Sequence, residues 1–333
     1  CAALLNSQPM GFYAPAQIVR DAERHGVVVL PPDVNLSDWD ATLEERPEGV
    51  GKLHWLHADM RDDILTTHSV RLGLRTIKGF RQDDAELLKG ERDRGYDSVR
   101  DLWLRTGFPA AAIERLADGD AFRSIGLDRR DALWAARGLG ATRAKDRLPL
   151  FDVAGQADIR REPDFALPPM PPGEHVVNDY RYLSLSLKAH PVSFLREALA
   201  RRKIVPAITL RDIPNGRRVT VSGLVITRQR PGTASGVIFM TLEDETDITN
   251  AIVWPKVFER FRPVVLGARL IALTGKVQSE SGVIHVITDT IEDLTPMLAT
   301  LSADEDLSVL SRADEVARPG IDQRAKALLP RAR

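Results

Sequence analysis

The spacing of hydrophobic and polar positions changes twice along this chain, and the changes divide it. Over 14–25 (APAQIVRDAERH) the apolar residues Ile18, Val19 and Ala22 fall at helical spacing, and Gly26 supplies a stop. VVVL at 27–30 is a continuous apolar run that predicts a short buried strand, closed by Pro31 and Pro32. From 35 to 70 the pattern is mixed, and KLHWLHADM (52–60) alternates as an irregular strand would. A helical region opens near Leu72. It holds IKGF (77–80), a helix from about Gln82 to Glu91, then SVRDLWLRTG (98–107), PAAAIERLADG (109–119) and DRRDALWAARG (128–138). Short helices, most of them ended by glycine, predict a stack of helical hairpins.

Proline becomes frequent between 148 and 173, which predicts an extended connector, and 174–203 carries a helix or two, including VSFLREALARRK. The period then drops to two. RRVTVSGLVITRQR (217–230), GVIFMTLED (236–244), TNAIVWP (249–255), RLIALTGKVQSE (269–280) and GVIHVITDTIEDL (282–294) predict five strands. PKVFERFRPVVL (255–266), opened by Pro255, predicts a helix between the third and fourth. Five strands with a helix in that place is the order of an OB-fold β-barrel. Beyond Thr300 the chain is polar and charged and predicts a poorly ordered tail. The pattern thus describes a multidomain α+β chain. Residues 1–70 form a first segment and 71–147 a tandem helix-hairpin-helix region. A connector with helices follows over 148–205, then the five-stranded OB-fold over 206–297 and the tail over 298–333.

Composition adds limits. A chain of 333 residues that is 43% hydrophobic can bury a core in each of several domains, and a net charge of −1 gives no global steering toward nucleic acid. Charge is local instead: 201–230 holds eight basic residues against one acid, Asp212. The single cysteine, Cys1, excludes an internal disulfide framework and fits a reducing, cytoplasmic compartment. No apolar run reaches membrane-spanning length, so no membrane role is expected. The chain opens on Cys rather than Met, which leads us to expect a piece of a longer protein.

Two sets of residues carry candidate binding chemistry. In a helix-hairpin-helix unit, a glycine turn exposes backbone N–H groups at a helix N-terminus, and these suit a DNA phosphate without reading a base. Gly79, with Lys78 and Arg81, fits that turn, and so does Gly126 with Arg129 and Arg130. The plain alternative is an ordinary pair of turns in a helical domain. On the barrel, alternation puts Ile238, Met240 and Leu242 inward. Phe239 then faces out, beside Asn250, Ile252 and Trp254 of the third strand. Phe239 and Trp254 would stack bases while Arg228, Arg230 and Lys276 hold phosphates. The alternative for Trp254 is packing against the helix that follows it.

Catalytic readings are weaker. Asp38/Asp40, Asp118/Asp120 and Asp304/Asp306 are close pairs, but none sits on a strand with a partner acid. The acids of EDETD (243–247) read as solvated residues capping a strand end in water. His54 and His57, even with His68, do not form a ligand set of characteristic spacing, and HWLH alternates as a surface strand does. No catalytic residue, metal site or cofactor is therefore expected in this chain. RLPLF (147–151) offers Leu148, Leu150 and Phe151 as apolar anchors for a partner's pocket, or as a segment folded back on its own domain.

Taken together, NSQPMGFYAPAQIVRDAERHGV (6–27), PPDVNLSDWD (31–40), VRLGLRTIKGF (70–80), DAFRSIGLDRRDALW (120–134), LSLKAHPVSFLR (185–196) and RPGTASGVIFMTLEDET (230–246) resemble the C-terminal part of the bacterial C-family DNA polymerases, in their error-prone branch. The resemblance runs in order from residue 1 to about 320. It implies that 1–70 is the distal end of the fingers, that the hairpins hold duplex DNA and that the barrel lies near single-stranded template. It also implies a parent enzyme that extends primers with magnesium held by palm aspartates, in damage-tolerant synthesis. The palm's Pro-Asp-x-Asp does not occur here, so catalytic residues do not carry over and the chain is expected to be inactive alone. RLPLF stands where relatives carry a sliding-clamp motif, Gln-x-x-Leu-Phe. Arg147 in place of the Gln weighs against direct clamp contact and leaves accessory proteins of the damage response as the expected partners. Two other functions stay open: a free-standing, non-catalytic DNA-binding or adaptor protein built from the same modules, and an RNA-binding OB module.

Overall fold

The computed structural model of the protein describes residues 1–10, 13–45, 51–64, 67–139, 167–232, 236–280 and 282–302. RLPLF, with Leu148, Leu150 and Phe151, lies outside the described residues, as do most of the proline-rich connector and the tail from 303. The described residues fall into two units, each with its own core.

The first unit runs over Cys1–Met170 with Tyr182–Leu187. Its helices α1 (Ala2–Asn6) and α2 (Pro15–Arg24) precede a small sheet of β1 (Val29–Leu30), β2 (Thr42–Glu45) and β3 (His68–Arg71). β3 is central, parallel to β1 and antiparallel to β2. The strand predicted over 52–60 is not formed. Trp55–Met60 is a 3-10 helix, and His54 caps it by accepting the Leu56 N–H at 3.3 Å. The alternation of KLHWLHADM misled because a local cap competes with strand geometry. Helices α3 (Gln82–Gly90), α4 (Val99–Thr106), α5 (Ala110–Asp118) and α6 (Arg129–Gly138) follow. Ser98 and Asp128 open α4 and α6 by accepting the N–H groups of Asp101 and Asp131. Leu72, Leu74, Ile77, Leu88, Leu102, Ile113, Leu116 and Phe122 are wholly buried among them, joined by Leu183 and Leu185.

The second unit comprises Pro171–Arg181 and the described residues from Lys188 onward. Its sheet closes as β4 (Arg218–Gln229), β5 (Ile238–Glu243), β6 (Ile248–Val253), β8 (Val283–Asp293) and β7 (Leu270–Glu280), with β7 returning to β4. Among the five described barrel strands β6 pairs with β8 in parallel, and this is the closure that makes them an OB barrel. At the β7–β8 bulge a side chain on Gly275 would sit 2.1 Å from the Ile287 carbonyl, so only glycine lets the strands approach there. Ile238, Met240, Leu242, Ala251, Val253 and Ile271 fill the interior. A second apolar layer covers the barrel: Val176, Val177 and Tyr180 of helix α7 (Pro172–Leu183), Leu199 of α8 (Arg196–Arg201) and Leu298 of α10 (Thr295–Leu298) pack on Leu224, Leu270 and Ala272. Helix α9 (Pro255–Gly267) lies between β6 and β7 and bends at Phe261, just before its internal Pro263.

The acids of EDETD correct the expectation of a water-capped strand end. Glu243, Asp244 and Asp247 are buried. Asp244 accepts hydrogen bonds from Arg196 (2.9 Å), from the Ala207 N–H (2.7 Å) and from the N–H groups of Thr246 and Asp247. Arg196 also donates to both Glu245 oxygens, and Arg211 reaches Asp247 at 2.7 Å. The charges are desolvated but paired, which is why burial is tolerated.

Asp244→Ala strips several donors of their acceptor at once and leaves Arg196 half-compensated. We expect it to lower the stability of the barrel unit by about 3–5 kcal/mol. Urea denaturation followed by circular dichroism checks this; a change below about 1 kcal/mol would show that the network contributes little.

Candidate nucleic-acid interface

The first hairpin turn is built by apolar anchors on either side of an exposed pair. Ile77 and Phe80 are buried, while Lys78 and Gly79 between them face solvent. Gly79 has φ +78°, and the chain leaves the turn through Arg81 into α3. Of the helical region expected from Leu72, only a 3-10 turn, Leu74–Thr76, precedes it. Arg115 of α5 lies beside this turn, with its Nε 3.5 Å from where a Gly79 side chain would begin. Arg81 pairs with Asp83 at 2.9 Å on the surface, a contact that solvent screens.

The second turn joins α5 to α6. Asp120, at φ +57°, clamps Arg123 with two bonds of 2.9 Å, and Gly126 follows at φ +80°. Among the described residues nothing lies within 4 Å of the position a Gly126 side chain would take. The backbone here is open to a ligand at the start of a helix. Arg129, assigned to phosphate from sequence, is corrected: it is 1% exposed, and its Nε donates 2.9 Å to the Asp118 carbonyl. It holds the hairpin together from beneath. Arg130 is half-buried and donates to the Pro168 carbonyl at 2.6 Å. Asp118 faces Arg129 from α5. Burial pushes its carboxyl up to about 6, opposed by the charge of Arg129 and by a hydrogen bond from Tyr182.

On the barrel, Phe239 of β5 is paired with Ile252 of β6, and both lie on the outer face with Asn250. Trp254 continues that alternation, is 52% exposed and caps the start of α9. Arg228 turns away from this face. Its guanidinium donates to the Val265 and Ala268 carbonyls at the end of α9, a helix-capping task rather than a phosphate contact. Arg230 lies over the Phe258 ring at 5.5 Å, with Arg262 at 5.8 Å from the same ring. Lys276 is exposed on β7, in register with Arg218 of β4. Beside the outer face a groove of about 430 Å3 runs between Thr241, Ile248 and Asn250 and the β7–β8 turn at Gly282–Ile284.

Sequence reading missed Arg115, Arg260 and Arg262, together with the groove. Arg260 and Arg262 were legible as basic positions on the helix that Pro255 opens. Arg115 was not, because nothing local links α5 to the Gly79 turn. Among the described residues no group of three or more His, Cys, Asp or Glu could hold a metal, and no helix is long and apolar enough to cross a membrane. Asp38 is paired with Lys89 and Asp40 with Arg75, so the first acid pair is held by cations. The surface suits gripping a polyanion.

Two family models match the chain. A helix-hairpin-helix motif matches residues 26–132, and an OB-fold nucleic acid binding domain matches 219–294. Over its whole length the chain is 56% identical to Error-prone DNA polymerase 1 of Rhizobium meliloti (strain 1021) and 55% identical to Error-prone DNA polymerase of Sinorhizobium medicae (strain WSM419), covering 30% of each. It is 48% identical to that of Ruegeria pomeroyi over 97% of this chain and 28% of the relative. The chain thus spans about 30% of the length of the first two of these curated relatives.

Asp118 makes the hairpin unit sensitive to pH. Its carboxyl is raised from 3.8 to about 6 in the fold, so the folded state binds the proton more tightly than the unfolded chain. The stability this contributes is present below about 4 and lost as pH rises through about 6. Denaturation midpoints of the first unit should fall between these values, and Asp118→Asn should flatten that slope. An unchanged slope in the variant would assign the titration to another group.

Proposed function

The chain corresponds to the C-terminal part of the error-prone DNA polymerases, and we propose that it grips DNA for that enzyme without performing the transfer itself. The hairpin unit takes duplex phosphates and the barrel takes single-stranded template. The observation that carries this reading is the open backbone at Gly126. A left-handed turn at the head of a helix, with no neighbour within 4 Å among the described residues, is shaped to receive something from outside.

Lys78, Gly79 and Arg81, with Arg115, supply the first phosphate contact, and Gly126 and Arg130 supply the second. Such contacts position a duplex and read no base. Phe239 and Trp254 stack bases on the barrel, with Arg230 and Lys276 along the backbone. Nucleotide incorporation, with its magnesium, belongs to the longer polymerase, as do damage-tolerant synthesis, the cytoplasmic setting and accessory partners of the damage response. Leu150 and Phe151 are left as a remnant of a clamp motif.

Binding of primed DNA should weaken steeply with rising salt, because phosphate contacts release counterions. Phe239→Ala and Trp254→Ala should each cost about 1–3 kcal/mol of single-strand affinity and leave duplex binding unchanged. Fluorescence anisotropy with single-stranded and duplex probes measures both. Equal affinities in both variants and the parent would remove the stacking face. A purified chain that extends a primer with magnesium would overturn the assignment of chemistry elsewhere.

A further inference from the structure

A cavity of about 660 Å3 lies in the first unit, apart from both hairpin turns. One wall is α2, where Arg20, Glu23 and Arg24 stand at i, i+3 and i+4 and so share a face. The other wall is the stretch from Lys52 to Arg61, including His54 and Trp55. The two walls are joined by backbone. The Gly51 N–H donates to the Gly26 carbonyl at 2.8 Å, and the His54 N–H donates to the Arg24 carbonyl at 2.9 Å. A side chain at Gly51 would begin 2.7 Å from the Gly26 oxygen, so the seam closes only with glycine there. Behind it His57 stacks on His25, ring centres 4.0 Å apart. The pocket is therefore built by the fold and is not an accident of loose side chains.

Its chemistry is one-sided. Arg20, Arg24, Lys52 and Arg61 line it against a single carboxylate, Glu23, which burial pushes toward its neutral form, opposed by the charge of Arg20. Trp55 lines the same cavity and is 49% exposed. Four cations around one indole match a phosphate with a base attached. A lone phosphate gains nothing from the indole, and a neutral apolar ligand would bury the cations. We propose that this pocket is a separate single-stranded DNA contact, with the phosphodiester on Arg20, Arg24, Lys52 and Arg61 and a base against Trp55. It stands independently of the hairpin and barrel readings, since it shares no residue with either.

The test uses the full chain labelled with 5-fluorotryptophan, with the Trp55 and Trp254 resonances assigned through Trp55→Phe and Trp254→Phe. Short oligo-thymidylate, thymidine triphosphate and inorganic phosphate are titrated in separate arms. The Trp55 resonance should move with oligo-thymidylate at concentrations where the other two leave it still. Arg20→Gln with Lys52→Gln should weaken the affinity read at Trp55 about tenfold and spare that read at Trp254. Arg61→Gln, on the exposed rim, serves in its place if the double variant loses structure. A Trp55 signal unmoved by the oligonucleotide overturns the proposal, and so does one that answers the triphosphate or phosphate first. Movement at Trp55 with none at Trp254 supports the pocket while removing the barrel's stacking face, so the two ideas fail separately.

Discussion

The second unit depends on one buried carboxylate. Asp244 stands at the end of β5, receives Arg196 from α8 and the Ala207 N–H from the turn before β4, and orders the turn into β6 through Thr246 and Asp247. Removing these charges from water is costly, and the network offsets the cost only when all of its donors are present. The same bonds therefore do two things. They hold the helical layer on the barrel, and they fix the β5–β6 hairpin whose outer side carries Phe239, Asn250 and Ile252. A stacking face can be exact in shape only if the strands beneath it cannot slide in register.

The hairpin unit solves the same problem with its own buried charge. Arg129 and Asp118 lie under the second turn, so the turn above can stay open without collapsing into the core. The cations that face outward are supplied from elsewhere: Arg115 leans over from α5, and Lys78 sits between two buried apolar neighbours. In each unit, then, some arginines are spent on architecture. Arg129, Arg196 and Arg228 all hold backbone or carboxylate, and a count of basic residues overstates the charge available to a ligand.

Much of the architecture was legible in the sequence because its periods are clean. Alternation from Arg218 to Asp293 gives five strands, and the proline at 255 starts the helix between the third and fourth, so the barrel order follows. Glycines 79 and 126 announced their turns for the same local reason, since φ near +80° is cheap only for glycine. What the sequence hid was partnership across distance. Nothing local tells that Arg129 points inward to the carbonyl of Asp118, that Arg228 caps a helix nearly forty positions on, or that the acids after Leu242 are buried and paired with Arg196. The stretch Trp55–Met60 failed for a different reason, since a capping histidine outcompeted an alternating pattern too short to enforce a strand.

The emptiness around Gly126 has a consequence for how this position tolerates change. At Gly275 a side chain is forbidden by the fold, because a neighbour's carbonyl already fills the space. At Gly126 a substitute meets only the strain of a left-handed backbone, of order 1–2 kcal/mol, and then projects into vacant solvent. Folding and grip are thus uncoupled at a single residue: a variant there can keep its structure intact while standing in the place a ligand must enter.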